Sequence, residues 1–300
     1  MAAPSTQTDT TSVTELIPTE ELPSFVDEYG YTPRTGILVA SLSPGLGSVA
    51  HRFARWDVIA VPAGTKSEGD DFTQVEVTTA EESITPGIVG FEVALTDEVL
   101  AAAMGGLRVP AGQIPVAFAL ECIAALSDRM DADILSSSTS ATNTAGATTD
   151  TFTREKFSAA AAAYRALQIP NSEMMEHAFV GHHDAFRDLD ADEVVTTAAR
   201  AATSEFRVLG AKSGYIGPYG GFQLFESGNV AAEGAGWSNL MTPMGFGRSG
   251  LGLVVSDPIR AEVNRGRDGA LSASTYAVLR GWWGAGMRNR TRLLEVLSKT

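Results

Sequence analysis

The residues able to do chemistry in this chain are few and fall into short groups. His177, His182, His183 and Asp184 lie within eight positions of one another. Imidazole nitrogens beside a carboxylate are the donor set of a zinc-type site, and His182 and Asp184 can converge where a strand turns into a helix. No further ligand group follows at a recognisable spacing, so these read as neutral histidines of a turn and no metal is assigned to them. Asp128, Asp131 and Asp133 form a second group, and neighbouring carboxylates are the raw material of general acid–base catalysis. Spacings of three and two spread them around a helix, which makes them a solvated face. The lone Cys122 stands in an apolar helical context, where a thiol is buried and inert. No serine occupies a Gly-x-Ser-x-Gly elbow. The sequence therefore supplies no catalytic, cofactor-binding or metal-ligating set, and no enzyme activity is expected.

Two glycine-bearing stretches raise the question of phosphate binding. "SGYIGPYGGFQLFESGNV", Ser213 to Val230, carries Gly214, Gly217, Gly220, Gly221 and Gly228 around Pro218. A dinucleotide fingerprint sets its glycines between a strand and the helix that follows. Here a helical pattern precedes the glycines and the strand-like "FQLFES" follows, so no helix N-terminus waits for a phosphate. The glycines read as a tight turn that needs φ > 0. "GTKS", Gly64 to Ser67, lacks the earlier glycine of a P-loop and has no helix after it. It reads as a hairpin tip.

The elements that would position these residues follow a clear order. Residues 1–30 are rich in Thr, Ser, Pro and Glu, too polar to order themselves without a partner. "RWDVIAV" and "FTQVEVT" flank a turn-rich acidic centre and predict a long β-hairpin over Arg55 to Thr79. "IVGFEVALTDE" alternates, placing Val89, Phe91, Val93 and Leu95 on one face of a half-buried strand. A long helix is predicted from Gln113 to Ser136, with Pro115 in its first turn and Ile123, Leu126, Met130 and Ile134 as an apolar stripe. "SSSTSATNTAGATTD" reads as a low-complexity loop and domain boundary. Beyond it, Thr153 caps a helix ended by Pro170, "HAFVG" is a short strand, and His182–Asp184 lead into a second helix. "ADEVVTTAARAATSEF" is a third helix, Ala231 to Gly250 a Gly-rich loop, and "GLGLVVSDPIRAEVNR" a strand, before a final basic stretch. The pattern is α+β with two regions and a projecting hairpin.

The chain has 300 residues, of which 44% are hydrophobic and 19% charged, enough for a substantial core. No apolar run is long enough to span a membrane, and the first 25 residues lack the basic and apolar parts of a secretory signal. A single cysteine excludes an internal disulfide and suits a reducing cytosol. The net charge of −14 argues against a general nucleic-acid binder. That charge is uneven: residues 241–300 hold nine basic against four acidic side chains, and the rest thirteen against thirty-two. An acidic body with a basic end suits copies that meet head to tail, and equally a solvated helix with several arginines.

Taken in order, these parts resemble a tailed-bacteriophage major capsid protein of the Hong Kong 97 type. "SITPGIVGFEVALTDEVL" is similar to that family's strand between hairpin and spine helix, and "HAFVGHHDAFRDL" to its axial strand-turn-helix. "SGYIGPYGGFQLFESGNV" resembles its short axial hairpin, and "DPIRAEVNRGRDGALSASTYAVLRGWWGAG" its closing peripheral strand. The match runs over about residues 50–298. The resemblance implies an N-terminal arm with lead-in (1–50), an extended hairpin loop (51–83), and a peripheral domain with a spine helix (84–150). It further implies an axial domain (151–254), a peripheral strand return (255–282) and a C-terminal tail in the axial domain (283–300). It implies a non-enzymatic subunit that self-assembles into pentamers and hexamers of an icosahedral head around double-stranded DNA touched only weakly. Scaffold, decoration and portal proteins would be partners, with no membrane, and the virion the location after assembly in the host cytoplasm. Lys66 is the only lysine of the hairpin, and no crosslink is assigned to it. The alternatives are a bacterial nanocompartment shell and a cytosolic enzyme using the His182–Asp184 turn.

Overall fold

The computed structural model describes residues 39–56, 79–96, 114–167, 176–190, 215–244, 249–267 and 273–300. The N-terminal arm, the outer hairpin with Gly64–Ser67, Val75 and Lys66, Gln113, the helix expected over 191–206, and Gly214 lie outside these residues. In chain order β1 (Ala40–Pro44), β2 (His51–Trp56), β3 (Thr79–Ile84) and β4 (Gly87–Thr96) precede α1 (Ile114–Ser136). Then follow β5 (Asn143–Gly146), α2 (Arg154–Ala166), β6 (His177–Gly181) and α3 (His183–Asp190). The remainder is all strand: β7 (Tyr215–Tyr219), β8 (Phe222–Glu226), β9 (Ala232–Glu233), β10 (Gly236–Pro243), β11 (Leu251–Arg267), β12 (Ala273–Met287) and β13 (Leu294–Lys299). None of the described helices is long and apolar enough to cross a membrane.

The long strands build a four-stranded sheet in the order β1-β11-β12-β4. β11 and β12 run antiparallel, with register shifts between Val255 and Arg260. Pro258 falls inside that shift, where a residue without an N–H costs the ladder least. β1 pairs parallel to β11, and β4 antiparallel to β12. On β4 the expected alternation holds where side chains are described: Val89 and Phe91 pack on the core and Ile88 is exposed.

The second sheet has seven strands, in the order β5-β13-β10-β6-β8-β7 with β9 beside β10. Both of its faces are covered. Phe179, Phe222, Leu224, Met241, Leu294 and Val296 face α2 and α3, whereas Ala178, Val180, Phe225 and Leu240 face the core shared with α1. On the helix side Phe152 stacks on Phe179 with centroids 5.3 Å apart, and Phe157 meets Phe152, Phe179 and Phe222 edge-on. Offset and edge-on contacts are the arrangements the ring quadrupole favours. Thr153 caps α2 as expected, its side chain accepting from Lys156 N.

Two stretches depart from the sequence reading. Ala231 to Gly250, expected to be a loop, contains β10, a strand at the centre of the sheet and buried along almost its whole length. A strand covered on both faces shows no alternation, so "GWSNLMTP" carries no period to read. "SSSTSATNTAGATTD", expected to be a linker, forms a 3-10 helix over Ser137–Ser140 and the edge strand β5, which pairs parallel to β13. Three of its polar side chains bond to distant parts of the chain. Ser138 Oγ lies 2.9 Å from Ser238 Oγ, Thr144 Oγ1 donates to Glu295 Oε2 at 3.2 Å, and Asn143 Nδ2 donates to Leu293 O at 3.1 Å.

α1 lies between the sheets. Cys122, Leu126, Ile134 and Leu135 are buried in one cluster with Leu251, Leu253, Leu279, Trp283 and Met287 of the four-stranded sheet and Val180, Phe225 and Leu240 of the other. The β2–β3 hairpin pairs from His51↔Ile84 to Trp56↔Thr79 and docks at its base through Phe53 and Ile84 on Val254. Glycines of β11 and β12 make room for that base. A Cβ on Gly284 would stand 2.6 Å from the Thr85 carbonyl oxygen, and one on Gly252 would meet Ile84 at 2.8 Å. The backbone carbonyl cannot swing away as a side chain can, so Gly284→Ala is expected to destabilise the chain by about 1–3 kcal/mol. Gly228→Ala, which meets nothing within 4 Å, serves as the control. Thermal denaturation should separate the two, and equal melting temperatures would contradict this account of the hairpin base.

Candidate assembly surface

Beyond its docked base the β2–β3 stem offers charged and aromatic side chains. Arg52 pairs with Glu81 at 3.2 Å, and Arg290 from the segment before β13 reaches Glu82 at 2.9 Å. The Arg288 guanidinium lies over the Phe53 ring, 5.6 Å from its centroid. A two-stranded ribbon of this kind is marginal by itself and gains stability from whatever it lies on. Beside the stem the surface turns apolar. Leu46 is 82% exposed, Ile88 66% and Val49 64%. Leu46 and Val49 flank the turn whose Gly47 lies against the Trp282 ring, and Ile88 is the cross-strand partner of Trp282. Ser256 Oγ donates to Gly47 O at 2.8 Å and Gly45 N to Val255 O at 2.9 Å, which hold the turn on the sheet. Single exposed apolar residues are ordinary; here three of them group around a half-buried tryptophan.

Behind this surface, the acidic residues of α1 are not the solvated face that their spacing suggested. Asp128 is exposed and accepts from Asn229 Nδ2 at 2.6 Å, while Asp133 pairs with Arg129 at 2.9 Å and accepts from Trp283 Nε1 at 3.1 Å. Asp131 is buried. Its Oδ2 accepts from Ser227 Oγ at 3.2 Å, and Oδ1 has no hydrogen-bond partner among the described residues. Burial pushes its carboxyl up to about 7; the Asn229 amide and Ser227 hydroxyl pull it back and Asp128 adds to the rise. The physical reason for the departure is that both sheets cover α1, so its buried stripe is wider than one sheet would require. The three carboxylates go to three different partners.

The histidines separate as well. His177 opens β6 and its Nδ1 lies 3.1 Å from Tyr164 Oη, inside the aromatic cluster. His182, His183 and Asp184 do converge, with ligand atoms within 4.8 Å of one another. His182 is buried between Trp237, stacked at 3.5 Å and 16°, and His183, at 3.7 Å. Its Nδ1 lies 3.1 Å from Asp184 Oδ2, which also accepts from Trp237 Nε1 at 3.0 Å. Burial and the neighbouring His183 hold the His182 imidazole below the usual histidine range. Cys122 is buried, as expected of a core thiol. In "SGYIGPYGGFQLFESGNV" the hairpin β7–β8 turns at Gly220 and Gly221, both with φ > 0 (58° and 86°), with Tyr219 paired to Phe222. That is the two-residue turn in which glycine is favoured, and a strand, not a helix, follows it.

No family model and no curated protein matches the sequence. Solved structures do match. The capsid of Ralstonia phage GP4 is similar with a TM-score of 0.61 at 11% identity, covering 99% of this chain and 93% of that one. The capsid of cyanophage P-SCSP1u is similar at 0.58 and 14%, covering 87% of each chain. The capsid of a native GTA particle is similar at 0.55 and 13%, covering 90% of each. The chain has the Hong Kong 97-like capsid fold that the order of its elements had led us to expect.

Because the folded state favours protonated Asp131, the native chain binds a proton that the unfolded chain has already released between pH 4 and 7. Stability from this group is present at acid pH and is lost as pH rises through about 7. Asp131→Asn keeps an acceptor for Ser227 without the charge. It should be more stable than the parent by on the order of 4 kcal/mol at pH 8 and by on the order of 1 kcal/mol at pH 4.5, read from the melting temperatures. Parallel melting curves across that range would remove Asp131 as the cause.

Proposed function

We propose that this chain is a major capsid protein, a non-enzymatic subunit that assembles with copies of itself into pentamers and hexamers of an icosahedral phage head. The observation that carries the reading is the likeness of at least 87% of the chain to three capsid structures in one fold. α1 and the four-stranded sheet would be the peripheral domain and its spine helix, and the seven-stranded sheet the axial domain, with the hairpin of residues 51–83 extended toward a neighbour. Residues 1–30 would serve as an arm that gains order by docking, with the lead-in to residue 50 tying it to the sheet through β1. The head would enclose double-stranded DNA, which an acidic body of net charge −14 touches without binding tightly. Scaffold, decoration and portal proteins would join it on the way from host cytoplasm to virion.

The mechanism is repetition. The apolar turn around Trp282 and the hairpin each bury a modest area against a neighbour, and a closed shell multiplies those contacts. Each exposed Leu, Val or Ile that becomes buried adds about 1.5–3 kcal/mol. Purified protein viewed by negative-stain electron microscopy should show shells, capsomers or tubes. A monodisperse monomer at high concentration would overturn the reading. The double substitution Leu46→Asp with Ile88→Asp should leave the circular dichroism spectrum unchanged and abolish particles, since both side chains are exposed in the subunit. Deleting Ala63–Asp71 should likewise spare the fold and impair assembly, and normal particles from it would remove the hairpin from the contacts.

A further inference from the structure

We propose that His182, His183 and Asp184 bind one divalent transition-metal ion of the zinc class, with a coordination position left open to solvent. The sequence alone placed these residues in a turn and gave no reason to prefer an ion; the tertiary contacts do. Two ligand atoms bound tetrahedrally at roughly 2.0–2.2 Å stand about 3.3–3.5 Å apart. His182 Nδ1 and Asp184 Oδ2 are 3.1 Å apart, and all three residues offer a ligand atom within 4.8 Å of the others. An ion therefore needs only a slight opening of the His182–Asp184 pair, and the widest pair of ligand atoms must close by no more than about 1.5 Å, a movement open to the exposed His183 side chain.

The site is also held in place from outside. Trp237 on β10 donates Nε1–H to Asp184 Oδ2 at 3.0 Å, and Arg187 holds the other carboxylate oxygen at 3.1 Å. Outer contacts of this kind orient ligating groups and tune their affinity. The His182 ring is fixed between Trp237 and His183, and its backbone N–H donates to the buried Asn239 Oδ1 at 2.9 Å. The ligands are thus fixed by the end of β6, the start of α3 and the centre of β10 together. Two imidazoles with one carboxylate suit zinc, nickel or copper and discriminate against magnesium and calcium, which require oxygen donors. His183 is exposed and leaves an approach for the ion. The Asp184 N–H that lies 3.3 Å from His182 Nδ1 is the contact that the ion would displace. This inference does not rest on the capsid reading, because the site lies within one chain.

The experiment is calorimetric titration of the full-length, chelator-stripped protein with zinc chloride in a non-coordinating buffer, repeated with cobalt to record its visible absorption. We expect one ion per chain and cobalt bands that zinc abolishes. His183→Ala removes an exposed ligand without touching the core, and should weaken zinc binding at least about tenfold with an unchanged circular dichroism spectrum. Trp237→Phe keeps an aromatic ring on His182 but removes the N–H, and should weaken binding about tenfold or more. No zinc uptake by the parent chain, or uptake unaffected by His183→Ala, would overturn the proposal. Calcium or magnesium binding that competes with zinc at the same stoichiometry would do so as well.

Discussion

One hydrophobic core, shared by α1 and the facing surfaces of two sheets, is what the rest of the structure depends on. Leu126, Ile134 and Leu135 contribute from the helix, Leu253, Leu279 and Trp283 from one sheet, and Val180, Phe225 and Leu240 from the other. A helix buried on two sides cannot be moved relative to one sheet without disturbing the other. The polar contacts at its margins follow from that position. Asp133 takes the Trp283 N–H on β12, while Asp128 takes the Asn229 amide and Asp131 the Ser227 hydroxyl, both in the turn after β8. Asp131 is buried where charge is costly, so its carboxyl is pushed up and links the joint between the sheets to pH.

The joint leaves the other margins of the four-stranded sheet for outward use. β4 stands at the edge beside β12, and β1 at the opposite edge beside β11. The β2–β3 stem rises from a floor of glycines that no other residue could supply at that spacing. A hairpin that stands on so small a base, and an apolar turn left uncovered next to it, are expensive in a protein meant to stay alone. In a repeating shell such surfaces would become contact area, which supports the proposed reading.

Much of this was legible residue by residue. The stripe of Leu126, Met130 and Ile134, the alternation of Val89 and Phe91, the Thr153 cap and the paired glycines at 220 and 221 are local signals, and local physics places each element. What escaped reading was buried on two faces or bonded through side chains. β10 has no period because both its neighbours in space are apolar. Ser137–Gly146 looked like a linker because its Ser, Thr and Asn side chains are polar, yet Ser138 and Thr144 are satisfied by Ser238 and Glu295, more than ninety positions away. Asp131 looked solvated because nothing near it in sequence announces Ser227.

The sequence by itself determined most of the elements and their order, because capping, turn chemistry and hydrophobic period act over a few residues. Only the tertiary structure decided which strand is central, which carboxylate is buried, and that His182, His183 and Asp184 meet beneath Trp237 while His177 joins the aromatic cluster. Those outcomes depend on contacts between residues far apart in the chain, and burial by a distant strand leaves no mark on the neighbours of the residue it covers.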